Sequence, residues 1–386
     1  MHPAALILQV AAGLLLSASM GYWIVAWLSM RGWRPQLADQ PMGPALDAAD
    51  WLPVTLLKPL HGTEPGLEEN LRSFCEQDYP QYEVLCGVQD AGDPAISVVE
   101  TLQQNHPEYP LRLIVHDTHL GQNPKIDNLA GLLAQSRNPV LVLSDADIRV
   151  GRDYLRSLAS GLEVPGAGVV TCLYRARIHG GFWSQLLAAQ IQEGFLPSVL
   201  LAARLGPQIY CAGATIALHR SLLESWGGFA AMGDILADDF FIGAKARELG
   251  LSVMLSGYVV DTAVQEPGFR DFYAHSLRWA RTTRAVRPGG YALSFITFPL
   301  PLAVLCGPLL GWQGWFLVGL VLVFRVMYHN AIVRKLKSPV PLAAAVLADF
   351  FGIWIWGHAQ LAGRVSWRGR SFSIDAQGRM RNGVKR

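Results

Sequence analysis

The sequence predicts an α/β domain, built on a parallel sheet, with membrane helices at both ends of the chain. Short apolar runs alternate with helical patterns through the middle of the chain, an order that places helices on both faces of a parallel sheet. Asp, Glu, Lys and Arg are absent before Arg31 and again between Arg287 and Arg325. Of the 386 residues, 51% are hydrophobic and 16% charged, which is too apolar for an ordinary soluble protein and too charged for a bundle of membrane helices.

Residues 1–31 are interpreted as an uncleaved transmembrane anchor, because about 20 helical residues suffice to span a bilayer. A secretory signal peptide is the alternative. It would have a basic start and a small-residue cleavage site, whereas this segment begins with MHP and ends near Trp27 and Arg31. Basic residues at its end, Arg31 and Arg34, predict that the following domain faces the cytosol.

A loop rich in Pro and Gly at residues 33–50 leads into the alternating region. The runs VTLLKPL, YEVLCGVQD, LRLIV and VLVLS are typical of strands, and PGLEENLRSFCEQ and PAISVVETLQQN are typical of the helices between them. Ligands of such sheets bind outside the carboxyl ends of the strands. Polar residues at those ends are therefore the first candidates for a site.

Acidic residues occur where two predicted strands end and where a later helix begins. Asp90 closes GVQD, Asp145 and Asp147 lie in SDAD, and Asp238 and Asp239 lie in ADDFF. Each has an ordinary explanation: a turn former, a loop carboxylate, or a helix N-cap. Together they favour sugar transfer from a nucleotide diphosphate. That chemistry uses Asp-X-Asp oxygens to hold Mg²⁺ or Mn²⁺ on the diphosphate and another carboxylate to take the acceptor proton.

Other classes of site find little support in the composition. Five cysteines are scattered without a CxxC pair or a nearby histidine cluster, which argues against a zinc site and a disulfide framework. The formal net charge is only +2, whereas proteins that bind nucleic acid usually carry an excess of basic residues, so the composition gives no indication of nucleic-acid binding.

Several motifs in order resemble the ceramide glucosyltransferases and their bacterial relatives. They are VTLLKPLHG, NLRSFCEQDYPQYEVLCGVQD, NPKIDNL, SDADIRV, ADDFF, HSLRW and, near the end, VSWRGRSFSI, and the resemblance covers nearly everything from residue 52 to 370. The resemblance implies an inverting enzyme with a GT-A (Rossmann-like) catalytic domain at residues 50–270. It also implies an interfacial helix at 271–290 and a C-terminal membrane region at 291–363.

Within that family, VTCLYRARIHGGFWSQLLA, AGATIALHRSLLESWGGF and LRWARTTRAVRPGGYALSFITFPLPLA resemble the bacterial hopanoid-biosynthesis glycosyltransferases. This resemblance implies transfer of N-acetylglucosamine from UDP-GlcNAc to bacteriohopanetetrol at the bacterial inner membrane. Transfer of glucose from UDP-glucose to ceramide is the alternative. Two weaker alternatives are a processive polysaccharide synthase and a non-catalytic membrane scaffold. The synthase would normally have Gln at position 275. The scaffold would lack the metal and base acids, whereas Asp145, Asp147 and Asp239 are all present.

The family's motifs assign roles to the acids. The resemblance implies that Asp90 lies near the uracil and ribose and that Asp145 binds the metal, with Asp147 completing the Asp-X-Asp. Asp239 corresponds to the catalytic base, and Asp238 precedes it where an acid is usual.

The RW pair of the family's (Q/R)xxRW motif corresponds to Arg278 and Trp279. The motif begins here with His275, a departure that leaves the role of its first position open. Both residues of the RW pair could instead be interfacial anchors of an amphipathic helix, and this applies more to Trp279 because a guanidinium suits phosphate contact. Lys58 and Lys125 are further candidates for contacts with the nucleotide.

The membrane segments after the catalytic domain leave alternatives open. Residues 288–324 are long enough for two crossings joined at GPLLGWQGW. A third apolar segment, Pro339–Gly363, would export a basic tail if it crossed, so we expect it to be re-entrant or interfacial and the tail, 364–386, to be cytosolic. Residues 180–206 fit either a core helix or a membrane-facing wall that guides a lipid acceptor.

Overall fold

The computed structural model describes residues 3–38, 51–361, 364–367, 370–375 and 377–382. Most of the loop predicted at residues 33–50, and parts of the predicted basic tail, lie outside the described residues.

The strands are β1 Gln36–Leu37, β2 Val54–Pro59, β3 Tyr82–Val88, β4 Leu111–Val115, β5 Val140–Ser144, β6 Ile148–Arg149, β7 Ala167–Ile178, β8 Thr215–His219, β9 Ser252–Val264, β10 Val365–Trp367, β11 Arg370–Ile374 and β12 Met380–Asn382. The helices are α1 Pro3–Gly32, α2 Leu67–Cys75, α3 Ala95–Asn105, α4 Pro124–Gln135, α5 Tyr154–Leu162, α6 Phe182–Ala189, α7 Leu196–Leu205, α8 Arg220–Ser225, α9 Asp238–Glu248, α10 Phe269–Val286, α11 Pro288–Leu293, α12 Pro299–Cys306, α13 Gly311–Leu336 and α14 Leu342–Gln360. A π-helical turn, Gln190–Phe195, joins α6 to α7, and 3₁₀ turns lie at Gly228–Met232, Ser294–Thr297 and Gly307–Leu310.

The main sheet has the strand order β1-β9-β7-β8-β5-β2-β3-β4, with β6 paired to β9. Strands β2 to β5 are the four predicted from the sequence, and they are parallel to one another. β8, a strand that was not predicted from the sequence, is antiparallel to both of its neighbours. The chain leaves β7 at its carboxyl end, passes through α6 and α7, and enters β8 beside the carboxyl end of β5, where Thr215 pairs with Ser144.

Helices cover both faces of the sheet, as predicted. Along β2 the side chains alternate: Leu56 joins the buried cluster formed with α2, α3 and α5, and Leu57 joins the one formed with α4, α8 and α9. All six residues of β2 are buried, as expected for a central strand.

The described residues contain four helical stretches with the length and apolar composition needed to cross a membrane: Pro3–Gly32, Phe182–Leu205, Pro299–Leu336 and Leu342–Gln360. The second is mostly buried inside the protein and packs on β7 and α14. The others expose many large apolar side chains.

The apolar stretch before α13 is broken into short helices, and its crossing of the membrane stays a prediction. α12 has eight residues and rises about 12 Å, well short of the roughly 30 Å of bilayer hydrocarbon. The chain turns at Gly311, whose φ is 62°, and α12 then lies against α13. Leu300 and Ala303 of α12 share a buried cluster with Val321 of α13. Prolines and glycines thus break this apolar stretch into short helical pieces.

Both ends of α14 approach the α/β domain. Just before its start, the Leu336 carbonyl accepts a hydrogen bond from Arg175 Nη1 of β7 at 2.8 Å. After its end, the three-stranded sheet β10-β11-β12 packs on Leu236, which lies in the loop before α9.

A buried ion-pair network joins the apolar helices to each other. Arg325 of α13 pairs with Glu193 of the π-helical turn, and its Nε lies 2.7 Å from Asp349 Oδ2 of α14. His329 Nδ1 lies 2.8 Å from Glu193 Oε1. Since Arg325, Glu193 and Asp349 are buried, each of these three charges depends on its partners rather than on water.

Candidate active site

The carboxyl ends of β5, β2 and β3 form one edge of the sheet, and the predicted acids follow two of these strands. Asp145 comes directly after β5, and Asp90 comes shortly after β3. Since β2 lies between them, two strand spacings separate the two ends, about 10 Å. Asp90 is exposed, and its Oδ1 accepts a hydrogen bond from Gly92 N at 2.8 Å, which fits the turn-forming explanation in this structure.

Lys125 connects the two acidic groups. Asn123 caps α4, and its side chain accepts hydrogen bonds from the backbone N–H groups of Lys125 and Ile126. From this first turn, Lys125 Nζ lies 2.8 Å from Asp145 Oδ1 and 3.0 Å from Asp238 Oδ2. Burial alone would lower the pKa of Lys125, but the two carboxylates outweigh it and raise the pKa above its usual value.

Lys58 lies beneath this edge rather than on it. Its side chain is fully buried, its ammonium group donates to the Asp145 carbonyl, and its Nζ lies 3.8 Å from the centre of the Phe74 ring. Burial lowers its pKa to about 8. In this structure Lys58 orients the backbone that carries Asp145, and its contact with a nucleotide stays a prediction.

Asp147 is fixed by the next strand pair. Directly after it, β6 pairs with β9, and Thr262 Oγ1 of β9 donates to Asp147 Oδ2 at 2.6 Å. Burial, and then the charge of Asp145, raise the pKa of Asp147 to about 6. The Asp-X-Asp therefore divides its contacts: Asp145 faces Lys125, and Asp147 faces Thr262.

Asp238 and Asp239 begin α9 and point to different partners. Asp238 is buried and pairs with Lys125, whereas Asp239 is half-buried and its Oδ1 accepts a hydrogen bond from Phe240 N at 2.7 Å. The N-cap position is Ala237, so neither acid is the N-cap. Burial, and then the neighbouring Asp238, raise the pKa of Asp239 to about 7, within the range that suits a general base.

The segment that backs Asp239 leaves space beside its carboxylate. A Cβ added at Gly213 would lie 3.3 Å from Asp239 Oδ2, and Cys211 N donates to the Asp239 carbonyl at 3.4 Å. Asp239 is therefore held through its backbone, and one carboxylate oxygen borders a position without a side chain.

Helix α10 brings Arg278 and His275 towards the same edge. Burial lowers the pKa of Arg278, while the charges of Asp145 and Glu266 oppose that shift. His275 Nδ1 lies 2.8 Å from Glu266 Oε1. Its Nε2 is buried without a hydrogen-bond partner among the described residues.

Trp279 turns towards the helices. Its ring lies edge-on to His275, with 4.4 Å between ring centres, and it packs on the buried cluster shared by α6, α10 and α14. Trp279 therefore packs within the protein here, and both its contact with the donor and its role as an interfacial anchor stay predictions.

Three further residues at this edge were not predicted from the sequence: Glu266, Thr262 and Tyr174. Glu266 follows β9, and the strand-end signal that singled out Asp145 could have found it. Thr262 and Tyr174 lie inside strands, where nothing in the sequence distinguishes them from core residues. Burial, and then the nearby Asp239, raise the pKa of Tyr174, which stacks on Phe195 with 5.0 Å between ring centres.

A metal cage formed by protein side chains alone is not present in the described part of the chain, where no three His, Cys, Asp or Glu side chains converge. Asp238 Oδ2 is nevertheless buried without a well-aligned hydrogen bond, so the ammonium group of Lys125 is its counter-charge. The site has carboxylate oxygens, a side open to a ligand, and a cation that balances the acidic charge. These features fit a site at which the ligand itself would complete the coordination of a divalent ion.

Comparison with known proteins gives one family over most of the chain. The model of the family described as Glycosyl transferase family 21 matches residues 13–380. Ceramide glucosyltransferase 1 of Caenorhabditis elegans is 22% identical over 344 residues, covering 85% of this chain and 73% of that protein. Ceramide glucosyltransferase of Komagataella phaffii is 34% identical over 101 residues, covering 25% of this chain and 20% of that protein.

A solved structure has a similar fold. Mannosyltransferase PcManGT of Pyrobaculum calidifontis, in complex with GDP-Man and Mn²⁺, has a TM-score of 0.57 and 21% sequence identity, covering 90% of this chain and 99% of that one.

Proposed function

Because the chain belongs to glycosyl transferase family 21, we propose that it is a membrane-bound inverting enzyme that moves a sugar from a UDP-sugar to a lipid alcohol. The family and the GT-A fold are those predicted from the motifs, so the chain is a glycosyltransferase. The observation that carries the proposal is the convergence of Asp145, Lys125 and Asp238 at a strand edge, with Asp239 beside them.

Asp145 and Asp147 are the residues proposed to hold Mg²⁺ or Mn²⁺. The ion would offset the negative charge that grows on the departing diphosphate. Support comes from the Asp238 carboxylate oxygen that has no well-aligned hydrogen bond and from the related fold of a mannosyltransferase in complex with GDP-Man and Mn²⁺. Lys125 and Arg278 are proposed to contact the diphosphate oxygens. Asp90 is proposed to contact the uridine end of the donor, roughly 10 Å from the end of β5 along the sheet edge.

Asp239 is the proposed base. The acceptor oxygen forms a bond to the anomeric carbon as the bond to the diphosphate breaks, UDP leaves with the electron pair, and Asp239 takes the hydroxyl proton. One displacement inverts the anomeric configuration. The raised pKa of Asp239, about 7, supports this role because a base with a pKa near the working pH accepts protons efficiently.

The proposed acceptor side faces the membrane. The apolar helices α1, α13 and α14 expose large hydrophobic side chains, while α10, which carries Arg278, packs along α14. We propose that α1 and α13 cross a bacterial inner membrane with the catalytic domain in the cytosol. α14 would lie in the cytosolic leaflet, because both of its ends return to the α/β domain.

N-acetylglucosamine from UDP-GlcNAc and bacteriohopanetetrol are the proposed substrates, supported by the segments that resemble hopanoid-biosynthesis enzymes. UDP-glucose and ceramide are the second candidates, favoured by the names of the curated relatives.

The deciding experiment incubates the purified protein with each donor and acceptor in turn and identifies products by mass spectrometry. We expect N-acetylglucosaminyl bacteriohopanetetrol. Product with ceramide alone would reverse the order of the two candidates, and no product in any combination would count against lipid glycosylation.

A further inference from the structure

The three short strands at the end of the chain form a sheet that packs against the α/β domain. β11 lies between β10 and β12, and both pairings are antiparallel. Val365, Phe372 and Met380, which lie on the three different strands, are buried and form a cluster with Leu236. Leu236 belongs to the loop that leads into α9. The small core of this terminal sheet is therefore completed by a residue three positions before Asp239, the candidate base.

Backbone hydrogen bonds fix the terminal sheet to the same loop. Leu236 N donates to Gly378 O at 2.8 Å, and Met380 N donates to Asp234 O at 2.7 Å. An antiparallel bridge at Ile235 lies between these two bonds. The loop is thus held as one more strand at the edge of the terminal sheet.

The loop is also held from its other side, by the N-terminus of α4. Asn123 N donates to Gly233 O at 2.8 Å, and the Asn123 side-chain amide donates to the Ile235 carbonyl. The same Asn123 accepts a hydrogen bond from Lys125 N at 2.9 Å. These bonds link the loop before Asp239 to the residue that caps the helix of Lys125. A shift of the loop would therefore change the position of Asp239 relative to Lys125.

The terminal sheet reaches α10 as well. Gly378 has a φ of 77°, and a Cβ added there would lie 3.2 Å from Val286 Cγ1 and 3.3 Å from Ala237 Cβ. Arg281 Nη1 of α10 donates to the Arg364 carbonyl just before β10. The turn at Gly378 is therefore wedged between the loop before α9 and the end of the helix that carries Arg278.

We propose that the terminal sheet β10-β11-β12 is a clamp that positions Asp239 against Arg278 and Lys125, so that these three strands belong to the functional site through Asp239 rather than through contact with the substrates. The inference rests on the proposed function for the role of Asp239. Gly378 and Phe372 act as positioning residues, one at the contact with α10 and one in the core of the sheet.

The first test compares Gly378→Val with Gly166→Val. Both glycines have positive φ, 77° and 80°, but nothing lies within 4 Å of a Cβ at Gly166, so only the Gly378 variant adds steric contact to the same backbone strain. For Gly378→Val we expect transfer turnover to fall about 10- to 100-fold, because small misplacements of catalytic groups have effects of that size. UDP-sugar affinity and melting temperature should match those of Gly166→Val. Equal turnover in the two variants would overturn the clamp.

The second test uses hydrogen–deuterium exchange in the full-length protein, with Phe372→Ala as a variant that removes core packing without backbone strain. We expect faster exchange in residues 120–124 and 233–240 and little change in β2 and β3. Unchanged exchange in the loop, or a loss of protection throughout the domain, would overturn the proposal. If the loop loosens and turnover falls while Asp239→Asn stays active, the clamp stands and the assignment of the base fails.

Discussion

Lys125 Nζ lies 2.8 Å from Asp145 Oδ1, which ties the start of α4 to the carboxyl end of β5. The same ammonium group lies 3.0 Å from Asp238 Oδ2 at the start of α9. A single cation therefore balances two acids from different elements at the edge where the diphosphate is proposed to bind.

Replacing this cation should weaken donor binding. We expect Lys125→Met to raise the dissociation constant for the UDP-sugar about tenfold or more, since a hydrogen bond to a charged group contributes about 1.5–3 kcal/mol. Isothermal titration calorimetry measures the change. Lys245→Met is the matched control, because Lys245 lies on α9 and pairs with Glu248 at 2.6 Å, away from the edge. Equal donor affinity in wild type and Lys125→Met would remove Lys125 from the binding site.

The pH dependence of transfer should report Asp239. Burial and then Asp238 raise its pKa to about 7, and a base works only when ionised. Transfer kcat/KM should therefore rise with pH up to about 7 and level off above it. Asp238→Asn removes a like charge, which favours the ionised form, so the rise should move to lower pH. Glu248→Gln, at the other end of α9, should leave the profile in place. A profile that is flat between pH 5 and 8 would argue against Asp239 as the titrating base.

Removal of divalent ions should stop the reaction. If Asp145 and Asp147 bind the ion, EDTA abolishes transfer and added Mn²⁺ or Mg²⁺ restores it, because the diphosphate leaves poorly without charge compensation. Asp145→Asn should require more added ion for half-maximal activity. Full activity in EDTA would exclude a metal from the mechanism.

The buried network around Arg325 should dominate the attachment of the membrane helices. Arg325→Met leaves Glu193 and Asp349 without their cation, and breaking a buried pair costs about 3–5 kcal/mol. Thermal unfolding in detergent should therefore occur at a clearly lower temperature. Arg334→Met, at the exposed end of the same helix, should change little. Equal melting temperatures would mean that apolar packing alone holds these helices.

The sequence predicted the strands and acids whose signals are local. β2 to β5 are short apolar runs, and Asp145 was found because it follows one of them. The pairing of Lys125 with Asp238 could not be predicted, since it depends on how two distant helices meet at one edge. β7, β8 and β9 were not predicted, and nothing in the composition of β8 indicates that it runs antiparallel to its neighbours. The break in the helix before α13 could have been predicted from the prolines and glycines between Pro299 and Gly311. The apolar composition of the segment was given more weight than these residues.

The terminal sheet illustrates a different limit. Its strands have three to five residues, too few for an alternating pattern to stand out, and their burial depends on Leu236 from far along the chain. The resemblance drew attention to VSWRGRSFSI, but only the fold places Val365 and Phe372 of that segment beside the loop that leads into α9.

The most direct test of the account compares Asp239→Asn with Asp238→Asn in lipid transfer and in UDP-sugar binding. Asn keeps the shape of Asp and removes its basicity, and loss of a positioned base lowers the rate about 10²- to 10⁴-fold. We predict that Asp239→Asn nearly eliminates turnover while UDP-sugar affinity changes little, and that Asp238→Asn retains substantial turnover. Near-normal turnover in Asp239→Asn, or loss of turnover in Asp238→Asn alone, would contradict the assignment of Asp239 as the base.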